Sequence, residues 1–177
     1  MPQTAWRGRL RPTFRCSPCP AHRMCYTAGM TNLLPQRKHL PHNIPSWVHQ
    51  GARHFITIRC RERGTTPFSD VTTAQKILDS ARHYDAIGKW FLWRIVVMPD
   101  HVHLMITFDL SKGIVKTLQE WRAYHSKANA IHFQDGFFEH RIRDEDAFVE
   151  KCDYMRMNPV EKGWVANPED WPYQWAR

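Results

Sequence analysis

A chain of 177 residues is long enough to bury one core and too short for two comfortable ones. No stretch supplies the roughly 18 apolar residues of a membrane span, since the longest apolar run, residues 90–98, is interrupted by Arg94. The N-terminus lacks the apolar centre of a secretory signal, so a cytoplasmic protein with reduced thiols is expected. The formal charge of +8 invites a nucleic-acid partner, but five arginines and no acids fall in the first 29 residues, leaving 20 basic against 17 acidic residues in the rest.

Residues 1–29 also hold three of the five cysteines and four of the twelve prolines, with no period of 2 or 3.6. They read as a disordered tail, or as a mis-annotated start ahead of Met24 or Met30, and residues 30–177 read as one domain. Cys16, Cys19, His22 and Cys25 can be drawn as a zinc site, but the ligands are crowded and no second knuckle follows.

From His54, the run Phe55, Ile56, Thr57 and Ile58 predicts a first strand. Asp70 then caps a helix whose apolar stripe is Val71, Ala74, Ile77, Leu78, Ala81 and Tyr84. Residues 90–98 and 101–108 predict two strands joined only by Pro99 and Asp100, hence an antiparallel hairpin. A second helix fits residues 114–130, with Ile114, Val115, Leu118 and Trp121 on one side. Residues 137–141 add a short strand, and Asp144 caps a third helix that should stop at Pro159. The order β, α, β, β, α, β, α predicts an α+β, ferredoxin-like (split βαβ) antiparallel sheet with helices on one face and an additional C-terminal helix.

In the third strand, alternation puts Val102, Leu104, Ile106 and Phe108 toward the core and His101, His103, Met105 and Thr107 on the opposite face. Two imidazoles side by side can bind one metal ion, although the same pattern fits two ordinary histidines of a half-exposed strand. On the third helix Phe148, Cys152 and Met155 form the apolar stripe, while Tyr154 and Asn158, four residues apart, share another face and are expected to point outward together. The pair also fits a helix-boundary tyrosine and a polar helix end.

Three linked segments carry a resemblance. Met98-Pro-Asp-His-Val-His-Leu104, Phe138-Glu-His-Arg-Ile-Arg-Asp144 and Asp153-Tyr-Met-Arg-Met-Asn-Pro-Val-Glu-Lys-Gly-Trp-Val165 resemble the single-tyrosine HUH transposases, and among them the REP-associated tyrosine transposases. The likeness runs from about residue 54 to the Asp170-Trp-Pro-Tyr close. It implies that His101 and His103 are the HUH metal pair, Asn158 the third metal ligand and Tyr154 the nucleophile, with magnesium or manganese as cofactor. Met155, Arg156 and Met157 depart from the family's usual residues between tyrosine and asparagine. The implied partner is single-stranded or hairpin DNA, and the chain is expected to act as a monomer or homodimer.

The implied reaction is strand cleavage through a 5′-phosphotyrosine link that frees a 3′ hydroxyl. Tyr124, in the basic second helix, is the rival nucleophile, but its i+4 neighbour is Ala128 and brings no ligand. Lys116, Arg122, Lys127, Arg141 and Arg143 are candidate phosphate contacts. Trp164, Trp171 and Trp175 are expected to be packing anchors. Two alternatives are a domesticated DNA-binding descendant that no longer transposes, and an HUH nickase of plasmid or phage replication, which the short chain and the C-terminal motif disfavour.

Overall fold

The structure is a computed structural model and describes residues 51–109, 111 and 113–177. The expected boundary at residues 29 and 30, and Cys16, Cys19, His22 and Cys25, lie outside the described residues. The elements run β1 (Arg53–Arg59), α1 (Val71–Ala86), β2 (Phe91–Val97), β3 (His101–Thr107), α2 (Ile114–Asn129), β4 (Phe138–Ile142), α3 (Glu145–Glu161) and β5 (Gln174–Ala176), with short 3-10 turns at Pro67–Ser69 and Pro168–Asp170. No described helix is long and apolar enough to cross a membrane.

The five strands form one antiparallel sheet in the order β4-β1-β3-β2-β5. β3 sits between β1 and β2, the two strands that α1 connects. The β2–β3 hairpin closes over Pro99 and Asp100, with Met98 N–H donating to the His101 carbonyl at 2.8 Å. The fifth strand was not expected from the sequence. Three residues leave too short a window for a period-2 signal, and β5 exists because it can pair with the edge of β2.

Both expected caps form. Asp70 accepts from Thr73 N–H and Asp144 from Ala147 N–H, each at 2.8 Å, which satisfies one otherwise open donor at each helix start. α3, however, does not stop at Pro159 but continues to Glu161. Proline lacks the N–H for the Met155 carbonyl and crowds it, but less than one turn remains beyond, and the end is closed by Lys162 N–H on the Asn158 carbonyl and Trp164 N–H on the Pro159 carbonyl.

One face of the sheet carries Ile56, Ile58, Leu92, Ile95, Val102, Leu104 and Ile106, each at most 1% exposed. It is covered by α1 and α2. These two helices are joined by a buried polar knot. Trp121 Nε1–H donates to Ser80 Oγ at 2.9 Å, Ser80 Oγ lies 2.6 Å from His125 Nε2 and 2.8 Å from the Ile77 carbonyl, and Asn129 Nδ2 is 3.3 Å from His125 Nδ1. All of these groups are satisfied when His125 is neutral with its proton on Nε2. Adding a proton to Nδ1 would set two donors against each other.

Burial accordingly lowers the His125 pKa from 6.5 to about 4. Between those values the unfolded chain binds the extra proton and the folded chain does not, so stability is full above 6.5 and is lost as pH falls toward 4. The predicted loss is about 3 kcal/mol. Urea unfolding of the wild type and of His125→Gln across this range should show the variant lacking that part of the pH slope. Parallel slopes would mean that the imidazole titrates normally.

α3 lies on the other face of the sheet. The helices are therefore divided between two faces, and the His101 face, expected to be half exposed, is buried under α3: His101, His103 and Met105 are 7%, 3% and 0% exposed. Three contacts hold α3 there. Near its start, Phe148 meets Trp93 edge-on at 5.4 Å, and the Arg53 guanidinium lies 4.0 Å from the Phe148 ring centroid while pairing with Glu145. In the middle Met155 is fully buried. Beyond its end, Trp171 is buried and donates from Nε1 to the Val97 carbonyl at 3.1 Å. Trp171 is thus an anchor as expected, whereas Trp164 is exposed.

Candidate active site

β3 pairs with β1 so that Thr57 stands opposite His103 and Arg59 opposite His101. Each imidazole is fixed through its Nδ1. That of His101 donates to the Asp100 carboxylate at 2.6 Å, and that of His103 lies 2.9 Å from Thr57 Oγ1. The Asp100 carboxylate also accepts from Arg59 at 3.2 Å. The two Nε2 atoms then face each other at 3.0 Å.

Burial lowers the pKa of His101, opposed by its bond to Asp100. Burial, followed by repulsion from His101 when that ring is protonated and from Arg59 and Lys151, pushes His103 well below its ordinary value. Both rings are therefore neutral near pH 7, the form that offers a lone pair.

Tyr154 and Asn158 come to this pair from α3. The Tyr154 ring centroid is 5.6 Å from that of His103 and 6.0 Å from that of Phe55, and the side chain is 40% exposed. Asn158 does not point outward, as the helix pattern suggested, but is 2% exposed with Nδ2 3.4 Å from His103 Nε2. One helical turn separates the two residues, and α3 presses that turn against the sheet, so the amide goes inward while the phenol stays at the rim.

The donor chemistry suits a divalent cation. Two neutral imidazole nitrogens 3.0 Å apart have the spacing of adjacent ligands around one ion at bond lengths of about 2.1 Å. Asn158 Oδ1 is buried and has no hydrogen-bond partner, and a half turn of the amide would aim it where Nδ2 now points. An orphaned buried acceptor costs about 1–3 kcal/mol, which a cation would offset. Among the described residues no group of three His, Cys, Asp or Glu side chains is placed to hold a metal ion, and the Asn158 amide is the further oxygen donor beside the two imidazoles.

Arg59, Lys151 and Lys162 all act on the histidine pair through their charge; helical spacing already set Lys151 beside Tyr154 and Asn158, whereas the sequence reading assigned Arg59 and Lys162 no part in the site. Lys151 Nζ lies 5.0 Å from the Tyr154 ring centroid and 5.1 Å from that of Phe55. The register could have flagged Arg59 opposite His101, but Lys162 needed the position of α3.

Of the expected phosphate contacts, Lys116, Arg122 and Lys127 lie on α2, across the sheet from Tyr154. Arg122 is occupied there, donating to the carbonyls of Gln134 and Asp135 at 2.6 Å each. Arg141 pairs with His54 and so faces away from Tyr154, while Arg143 is exposed just before α3. Tyr124, 49% exposed, is also on α2 and packs on His125. A cleft of about 560 Å³ lined by Gly51, Asp85, Phe91 and Arg177 contains none of the candidate residues.

The fold and site define a small α+β protein in which a tyrosine-bearing helix crosses a strand that presents two histidines. No family model matches the chain. It is 29% identical over 133 residues to the REP-associated tyrosine transposase of Escherichia coli K12, covering 70% of this chain and 76% of that protein. A protein of Haemophilus influenzae that carries the same name provisionally is 25% identical over 143 residues, covering 70% of this chain and 79% of that one. A solved REP-associated tyrosine transposase bound to a REP hairpin shares the fold, with a TM-score of 0.58 at 24% identity over 74% of this chain and 80% of that one. The chain is thus similar in sequence to two proteins named as REP-associated tyrosine transposases and shares its fold with a solved one.

Proposed function

We propose that this protein is a transposase-type DNA endonuclease and strand transferase that cleaves single-stranded or hairpin DNA in the cytoplasm, using one ferredoxin-like domain, residues 30–177. The observation that carries the reading is the meeting of Tyr154, His101, His103 and Asn158 from two elements about fifty residues apart in sequence. A structural core has no use for two neutral imidazoles and an unpaired amide oxygen beneath an exposed phenol. The kinship supports it too, since a relative of that name has been solved on a REP hairpin.

In the reaction Tyr154 Oη attacks the scissile phosphorus and forms the new P–O bond. The bond to the 3′ oxygen breaks, the phenol gives its proton to solvent while the leaving 3′ oxygen takes one up from solvent, and the DNA 5′ end remains on the enzyme as a phosphotyrosine. The freed 3′ hydroxyl can later reverse the step on another end, because the phosphodiester energy is retained. Magnesium or manganese, held by His101, His103 and Asn158, would polarise the phosphate oxygens. Asp100 and Thr57 hold the imidazole tautomers, and Lys151 adds positive charge beside the phenol.

The test offers single-stranded and hairpin oligonucleotides with magnesium or manganese and looks for a protein-DNA band that survives denaturing gel electrophoresis. A metal-dependent band is expected. DNA binding without any band would instead indicate a domesticated binder.

A further inference from the structure

The face that holds Tyr154 continues onto β4. This is the edge strand, and no further strand pairs with its outer side among the described residues. Its register sets Phe138 opposite Thr57 and His140 opposite Phe55. Directly paired residues share a face, so Phe138 and His140 stand on the side of His103 and α3.

Phe138 is 57% exposed, more than any other large hydrophobic side chain among the described residues. Its ring meets Phe55 edge-on at 6.3 Å, while Phe55 stacks on His103 at 5.2 Å and meets Tyr154 at 6.0 Å. A single exposed phenylalanine is ordinary. This one ends a continuous line of rings that begins at the histidine pair.

Two basic side chains lie along that line. Lys151 Nζ lies over both Phe55 and Tyr154, and Arg59 shares the sheet face. The adjacent acid on the strand, Glu139, turns to the other face and bonds His54 Nδ1 at 2.7 Å. An open aromatic ring with a cation over the next ring of the line matches one nucleotide unit, a flat base next to a phosphate.

Resting on the proposed DNA cleavage, we infer that Phe138 is a stacking platform for an unpaired base of the DNA strand beside the scissile phosphate, with Lys151 holding the adjoining phosphate. A base within a duplex is already covered by its neighbours, so only an unpaired base has a face to offer. The platform therefore selects single-stranded DNA at the cleavage position, whatever structure lies next to it.

The experiment measures fluorescence anisotropy of the full chain with two labelled oligomers of about 15 nucleotides, an oligothymidylate and a stable abasic strand with the same number of phosphates. Divalent metal is left out so that binding is read without cleavage. Phe138→Ala should weaken oligothymidylate binding by about 5- to 150-fold and leave the abasic strand unchanged. Phe138→Trp should restore binding, and Lys151→Gln should weaken both oligomers.

Equal oligothymidylate affinity for Phe138→Ala and wild type would overturn the platform, as would an equal loss on both strands. If Phe138→Ala instead split a dimer on size exclusion and kept its oligothymidylate affinity, the ring would serve a second copy of this chain and the inference would fail. Wild-type protein that forms the covalent band while Phe138→Ala binds normally sinks the platform alone. Wild-type protein with neither band nor DNA affinity sinks the proposed function, and the platform with it.

Discussion

Tyr154→Phe is expected to remove the covalent protein-DNA adduct to the background of the assay, a loss of at least about 10³-fold, while binding of single-stranded DNA stays near the wild-type level. The substitution deletes one oxygen at the rim of the site. The ring that meets His103 and Phe55 remains, and the side chain is 40% exposed, so stability should move by less than about 0.5 kcal/mol. Tyr124→Phe should retain the adduct, because Tyr124 belongs to α2 and its nearest ring is His125, locked in the knot with Ser80. Peptide mapping of the adduct decides between them: DNA found on the peptide holding Tyr124 would defeat the assignment.

The sequence made the sheet legible because its strands are patterned by burial. Ile56, Ile58, Val102, Leu104 and Ile106 alternate as a one-sided core requires, and Pro99 and Asp100 leave room only for a tight hairpin. What alternation could not disclose is that the other face is buried as well. His101, His103 and Met105 read as the exposed half of the strand, and only the docking of α3 through Phe148 and Met155 turns them inward.

Asn158 shows the same limit. Helical spacing correctly put it one turn from Tyr154, but spacing carries no information on which side of that turn meets the sheet. The basic residues were the least legible part. Lys116, Lys127 and Arg122 form a visible cluster along one helix, yet the charge that reaches the histidines comes from Arg59 at the end of β1 and from Lys151 and Lys162 on α3 and at its C-terminal cap. Charge pattern along a chain reports local density, whereas a binding site is assembled across it.

Manganese is expected to raise the melting temperature of the wild-type chain, and the response separates the three proposed ligands. A ligand that binds only the folded state at about 100 times its dissociation constant adds about 2.7 kcal/mol, which in a domain of this size is a shift of roughly 5–10 °C. His103→Ala should abolish the shift at any practical concentration, because it removes the imidazole that stands between His101 and Asn158. Asn158→Leu should behave differently. The leucine fills the volume of the amide and takes away an acceptor that has no partner, so the metal-free variant should be no less stable than wild type. Its manganese curve should move to higher concentration yet still saturate, since both imidazoles remain, and cleavage should recover in parallel as metal is raised. Tyr154→Phe keeps all three donors and should give the wild-type thermal response with no cleavage at all. An Asn158→Leu chain with an unshifted manganese curve would show that the amide is only a buried end of α3, and the third ligand would have to come from water or from the DNA phosphate.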